Sequence, residues 1–165
     1  MAIGSGRIYG VPFATILFTA VFVIIYILMN LTAFGRAIYA VGGNAEAARL
    51  CGLNVALVRI LVLAITGLLA ALSGVMLSSR MMAGNPNVAS GWELDVIAAV
   101  VVGGTSLRGG VGSVWGTLVG VIFIGVVANG MLLLNVHQDG QLIARGIIIV
   151  LAVLLSRLRR IQVEV

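Results

Sequence analysis

Pro12-Phe13-Ala14-Thr15-Ile16-Leu17-Phe18-Thr19-Ala20-Val21-Phe22-Val23-Ile24-Ile25-Tyr26-Ile27-Leu28-Met29-Asn30-Leu31 runs for 20 residues without a charge. At a helical rise of about 1.5 Å per residue it covers about 30 Å, the thickness of a bilayer's hydrocarbon core. This is a membrane span, and the composition around it agrees. The 165 residues are 61% hydrophobic and 9% charged, and mean hydropathy is +1.21, which excludes an ordinary soluble domain. All the basic residues are arginines, and with five acids they give a net charge of +5. A nucleic-acid binder clusters such charge on a solvated face. Here the arginines mostly flank apolar runs, so nucleic acid is excluded as a partner and the charge reports orientation against anionic membrane lipid. A single cysteine, Cys51, excludes an internal disulfide, and no His or Cys neighbours it to suggest a metal site. Met1 to Gly10 lacks the basic region and apolar core of a signal peptide, so insertion is expected to rely on the spans themselves.

C-terminal to the first span, a polar loop is expected over residues 32–58. Arg36, Arg49 and the flanking Arg59 place it in the cytoplasm. Within it, Ala45 to Leu50 consists of strong helix formers, with Asn44 as N-cap and Gly52 as stop, which predicts a short helix on the membrane surface. Leu61 to Ser79 is the second span, on which Gly67, Ala71 and Gly74 line one face where another helix can approach.

Arg80 to Asp95 reads as an outer loop carrying Asn85-Pro86-Asn87, Glu93 and Asp95, with Trp92 as an interfacial anchor. Val96 to Gly104 is too short to cross as a straight helix and leads into a glycine-rich stretch over 103–112, where non-helical backbone is expected. Val114 to Leu134 is the third clear span. Gly112, Gly116 and Gly120 form overlapping Gly-x-x-x-Gly repeats there, continued by Gly125 and Gly130, which predicts close helix contact. After a short loop, Asn135 to Gln141, the last span is Leu142 to Ser156, with Arg145 able to snorkel and Arg157, Arg159 and Arg160 after it. The expected fold is all-α: a single polytopic transmembrane domain over residues 1–165, with about four crossings, one of them short or broken. If Val96 to Leu107 crosses, Arg108 and the tail over 157–165 both lie inside, as the charge bias prefers. A re-entrant segment would put the tail outside.

These stretches carry a family likeness. Phe34-Gly35-Arg36-Ala37-Ile38-Tyr39-Ala40-Val41-Gly42-Gly43-Asn44, then Glu46-Ala47-Ala48-Arg49-Leu50-Cys51-Gly52-Leu53-Asn54-Val55, then Glu93 through Leu107, with Gly109-Gly110, Gly112, Gly116-Thr117 and Asn129-Gly130, resemble the C-terminal half of a bacterial ABC-importer permease of the ribose type, within the branched-chain-type permease superfamily. The resemblance implies sugar import across the bacterial inner membrane. Two permease subunits would form the pathway, a periplasmic sugar-binding protein would deliver the ligand, and cytoplasmic ABC ATPase subunits would drive alternating access. It also implies that Asn44, Glu46, Ala47, Ala48, Arg49 and Gly52 form the helix that docks on the ATPase. ATP then belongs to that partner, and this chain needs no cofactor. Permeases of that family are about twice as long, so the chain is expected to be a fragment, a truncated frame, or one half working with a separate chain.

Each candidate site has a plainer reading. Glu46 and Arg49 also fit a solvated helix with an i, i+3 ion pair. The 103–112 stretch lacks the Gly-Lys-Ser/Thr ending of a phosphate loop. Thr105 and Ser106 either offer hydroxyls to a sugar or cap a broken helix. Asn129, an amide inside an apolar span, either pairs across helices or lines a cavity. His137 and Asp139 read as solvated. No nucleophile, base and orienting group assemble, so no catalytic residue is expected. A transport-inactive half-permease and a permease for branched-chain amino acids or nucleosides remain open beside the sugar reading.

Overall fold

The computed structural model describes residues 7–8, 11–81 and 89–161. It is an all-α, multi-pass membrane protein. Its backbone falls into two compact units, Met1–Val88 and Ala89–Val165.

The first unit opens with a two-residue antiparallel pair, β1 (Arg7–Ile8) and β2 (Val11–Pro12), registered Arg7 to Pro12. Helix α1 (Phe13–Leu31) is the first span, and none of its side chains is buried within the unit. Helix α2 (Ala33–Gly43) follows after one extended residue, Thr32. The sequence predicted a loop here, and the structure corrects it. Ala33, Ala37 and Ala40 favour a helix, and Phe34, Ala37, Ile38 and Val41 give it an apolar stripe to bury. Helix α3 (Ala45–Leu50) then leads to α4 (Val55–Met81), which begins six residues before the predicted second span because Asn54 caps it, accepting the Leu57 N–H at 3.1 Å. The core of this unit is Val41, Ala48, Val55 and Val58, drawn from α2, α3 and α4. Burying a valine side chain contributes about 1.5 kcal/mol or more, so this small cluster suffices to fix a six-residue helix that has little stability alone.

Asn85, Pro86 and Asn87 lie outside the described residues. In the second unit, helix α5 (Trp92–Val102) takes in Glu93 and Asp95, which the sequence placed in a loop. They occupy its first turn, where carboxylates favour the helix. Eleven residues make it about 16 Å long, roughly half the hydrocarbon core. A coil over 103–113 connects it to α6 (Val114–Leu133), and α7 (Gln138–Ile161) completes the unit. Because α7 starts at Gln138, the predicted loop shrinks to the turn before it. The core joins Ala98 and Ala99 of α5 to Ile124 of α6, with Val102, Ile148 and Ile149 against them. Helices α1, α4 and α6 are long and apolar enough to cross a membrane, and α7 carries a shorter apolar run, Gly140–Ala152.

Candidate functional site

Helix α3 is a small, firmly tied projection. The Asn44 side chain accepts the N–H groups of Glu46 and Ala47, both at 3.0 Å, satisfying two otherwise unpaired donors of the first turn. At the other end Leu53 N–H donates to Ala48 O and Gly52 N–H to Arg49 O, both at 3.0 Å, a Schellman closure. That closure needs a left-handed residue, and Gly52 supplies it at φ +85°. Ala48 is the buried side chain of α3, and Ala45 packs against the same core half-buried. Glu46, Ala47 and Arg49 are exposed, and Leu50 is 90% exposed. The exposed face of α3 thus has an apolar centre, Leu50, with an acid and a base at its edge.

The second unit holds the remaining candidates. At the end of α5, Thr105 N–H donates to Val100 O at 3.1 Å and Gly104 N–H to Val101 O at 2.9 Å, with Gly104 left-handed at φ +86°. Ser106 N–H then donates to Val111 O at 2.9 Å and folds the coil back on itself through left-handed Gly109 and Gly110. The Ser106 hydroxyl accepts the Arg108 N–H at 3.3 Å and so holds this turn, while the Thr105 side chain lies where a Cβ on Gly112 would come within 3.0 Å of it. Both residues are partly exposed.

Gly116 and Gly120 sit where α6 crosses α5 in antiparallel sense. A Cβ on Gly116 would strike the Gly103 carbonyl oxygen, and one on Gly120 would strike that of Ala99 and come 2.9 Å from Gly103 N. The glycines thus allow backbone to meet backbone. Gly125 and Gly130, on the same helix, and Gly67 and Gly74 on α4 have open space at the Cβ position among the described residues. Asn129 is exposed on α6, and His137 is exposed in the turn before α7. Asn135, the first residue of the loop expected from the sequence, is a third left-handed helix stop, at φ +58° after α6, where asparagine is the usual substitute for glycine.

A family model described as "Branched-chain amino acid transport system / permease component" matches residues 2–153. The chain is 50% identical over 150 residues to "Probable ABC transporter permease protein YphD" of Escherichia coli (strain K12), covering 91% of this chain and 45% of that protein. It is 46% identical over 154 residues to "Ribose import permease protein RbsC" of Bacillus subtilis (strain 168), covering 93% and 48%. To "L-arabinose transport system permease protein AraH" of Escherichia coli (strain K12) it is 40% identical over 159 residues, covering 96% and 48%. The chain therefore spans about half the length of the curated relatives it matches. No solved structure matches it. A match running over almost the whole chain, onto helices of membrane-spanning length, settles the family: this chain belongs to the branched-chain amino acid transport system / permease component family.

Proposed function

We propose that the chain is the C-terminal half of a membrane-spanning permease of an ATP-binding-cassette importer, translocating a ribose-like monosaccharide inward by alternating access. The observation that carries this reading is its identity, over more than nine-tenths of the chain, to proteins named as ribose and L-arabinose permeases. The architecture of α3 supports a mechanical role. A helix tied at both ends and anchored by Ala48 moves with α2 and α4, while Glu46, Arg49 and Leu50 remain free to engage a cytoplasmic ATPase. ATP binding and hydrolysis belong to that ATPase, and this chain is not itself an enzyme. A second permease subunit completes the pathway, and a periplasmic binding protein delivers the sugar.

In this reading the chain lies in the bacterial inner membrane with the 32–58 region and the 157–165 tail in the cytoplasm. With the α5 segment as a half-length pass there are five crossings, one more than the four expected above: α1 enters, α4 leaves, α5 and its coil enter, α6 leaves and α7 returns. Arg36, Arg49, Arg59, Arg108 and the terminal arginines are then all inside, as the charge bias requires. Thr105, Ser106 and Asn129 are the polar groups offered to the pathway.

The test is uptake of labelled ribose, arabinose and hexoses by cells supplying the binding protein, the ATPase and an N-terminal permease half. Saturable uptake of one sugar that requires this chain supports the proposal, and uptake of leucine instead would overturn the sugar assignment. A second reading is a half-permease that is inactive by itself. Uptake that appears only with the other half present distinguishes it from a self-sufficient permease.

A further inference from the structure

The connection between α1 and α2 is one residue, Thr32, and its hydroxyl serves both helices. Thr32 Oγ1 donates to the Leu28 carbonyl at 2.6 Å, one of the last carbonyls of α1, which lack a partner within the helix. The same oxygen accepts the Gly35 N–H at 3.2 Å, in the first turn of α2. Gly35 is buried against α1's own backbone: a Cβ there would strike the Met29 carbonyl oxygen and lie 2.6 Å from Leu28 O. No flexible side chain intervenes at the bend.

Helix α1 has no fully buried side chain; Leu17, Val21, Ile25 and Met29 are half-buried. Beyond the bend, by contrast, α2 is joined to α3 by the Asn44 cap, and Val41, Ala48, Val55 and Val58 tie α2, α3 and α4 into one core. The Thr32–Gly35 bend is the direct backbone link between α1 and the core that carries α3.

We propose that Thr32 and Gly35 are positioning residues that lock the end of α1 to α2, so that a displacement of α3 reaches α1 as well as α4. The proposal rests on the reading of α3 as the ATPase contact. Hinges absorb motion where backbone dihedrals are free to change. Here both backbone partners are held by one hydroxyl and the bend has no room for a side chain, so it transmits motion instead.

The experiment uses the full chain in nanodiscs, in a Cys51→Ser background, with spin labels on Ile24→Cys of α1 and Ala40→Cys of α2. A narrow distance distribution is expected, broadened by Thr32→Ala and by Gly35→Ala and kept narrow by Thr32→Ser, which retains the hydroxyl. Thr32→Val supplies the same test if Gly35→Ala does not accumulate. In the assembled importer the broadening variants should lose uptake by roughly tenfold while ATP hydrolysis persists, with Thr32→Ser restoring uptake. Distributions as narrow as the parent's overturn the lock, and broadened distributions with undiminished uptake overturn the transmission. If the unsubstituted chain binds no ATPase, the reading of α3 falls, and the distances still decide the lock.

Discussion

Gly103 and Gly116 exclude side chains from each other: a Cβ on either would meet the other's carbonyl oxygen. The relationship is reciprocal because α5 and α6 cross in opposite directions at that level, with Ala99 and Gly120 in contact one turn away. Gly116→Ala and Gly120→Ala must therefore push the helices apart, at a cost of about 1–3 kcal/mol, the range for overfilling a tight contact. Gly125→Ala, into open space within the helix, should raise stability by about 0.5–1 kcal/mol. Thermal unfolding in detergent measures the difference, and equal transition temperatures for all three variants would remove the close crossing.

The exposed end of α3 predicts a separation between folding and partner binding. Leu50→Ala and Glu46→Ala alter side chains outside the core, so the amount of chain in the membrane should not change. Affinity for the ATPase should fall in the Leu50 variant by an order of magnitude or more, since burying a leucine is worth about 1.5–3 kcal/mol. Binding of the purified ATPase to the reconstituted permease measures it, and an unchanged dissociation constant for both variants contradicts the docking surface.

The two ends of α3 can be weakened without touching that surface. Asn44→Ala removes a side chain that accepts two backbone N–H groups and should cost about 1 kcal/mol. Gly52→Ala forces an alanine to φ +85° and should cost about 1–2 kcal/mol. Hydrogen exchange over residues 45–53 should rise in both variants while exchange in α4 stays as it was. Unaltered exchange over residues 45–53 in both variants would show that the caps contribute nothing.

Cys51 is exposed at the end of α3 and reports sidedness. A membrane-impermeant maleimide should label it in inverted vesicles and leave it unlabelled in intact cells. The reverse pattern puts α3 on the wrong face and removes the proposed coupling.

Asn129 distinguishes a polar pathway from a lipid-facing position. It is exposed on α6 in this chain, so Asn129→Leu should leave accumulation intact and raise the KM for sugar uptake if water and ligand pass there. A lipid-facing amide gives the opposite signature, with better accumulation of the leucine variant and unaltered uptake.

The local features were legible in the sequence, and the pairings were not. Asn44, Ala45 to Leu50 and Gly52 spell out a capped helix with short-range chemistry alone, and the 20-residue run up to Leu31 is long enough to declare itself. Helix α2 was missed because Arg36 and its glycines look loop-like, whereas its stability comes from contacts with residues such as Val55 and Val58, more than a dozen positions away. Glu93 and Asp95 misled for a related reason: charge suggests a loop, yet carboxylates are at home in a helix's first turn. Small-residue spacing identifies a face without naming its neighbour. Gly116 and Gly120 meet α5, while Gly67 and Gly74, with similar spacing, meet nothing among the described residues.

The antiparallel crossing of α5 and α6 also has an electrostatic consequence. It sets the carbonyl end of α5 beside the amide end of α6, and these carry partial charges of about −0.5 and +0.5 of an elementary charge. The two macrodipole ends offset each other across the coil. The formal charge left on the coil over 103–113 is that of Arg108.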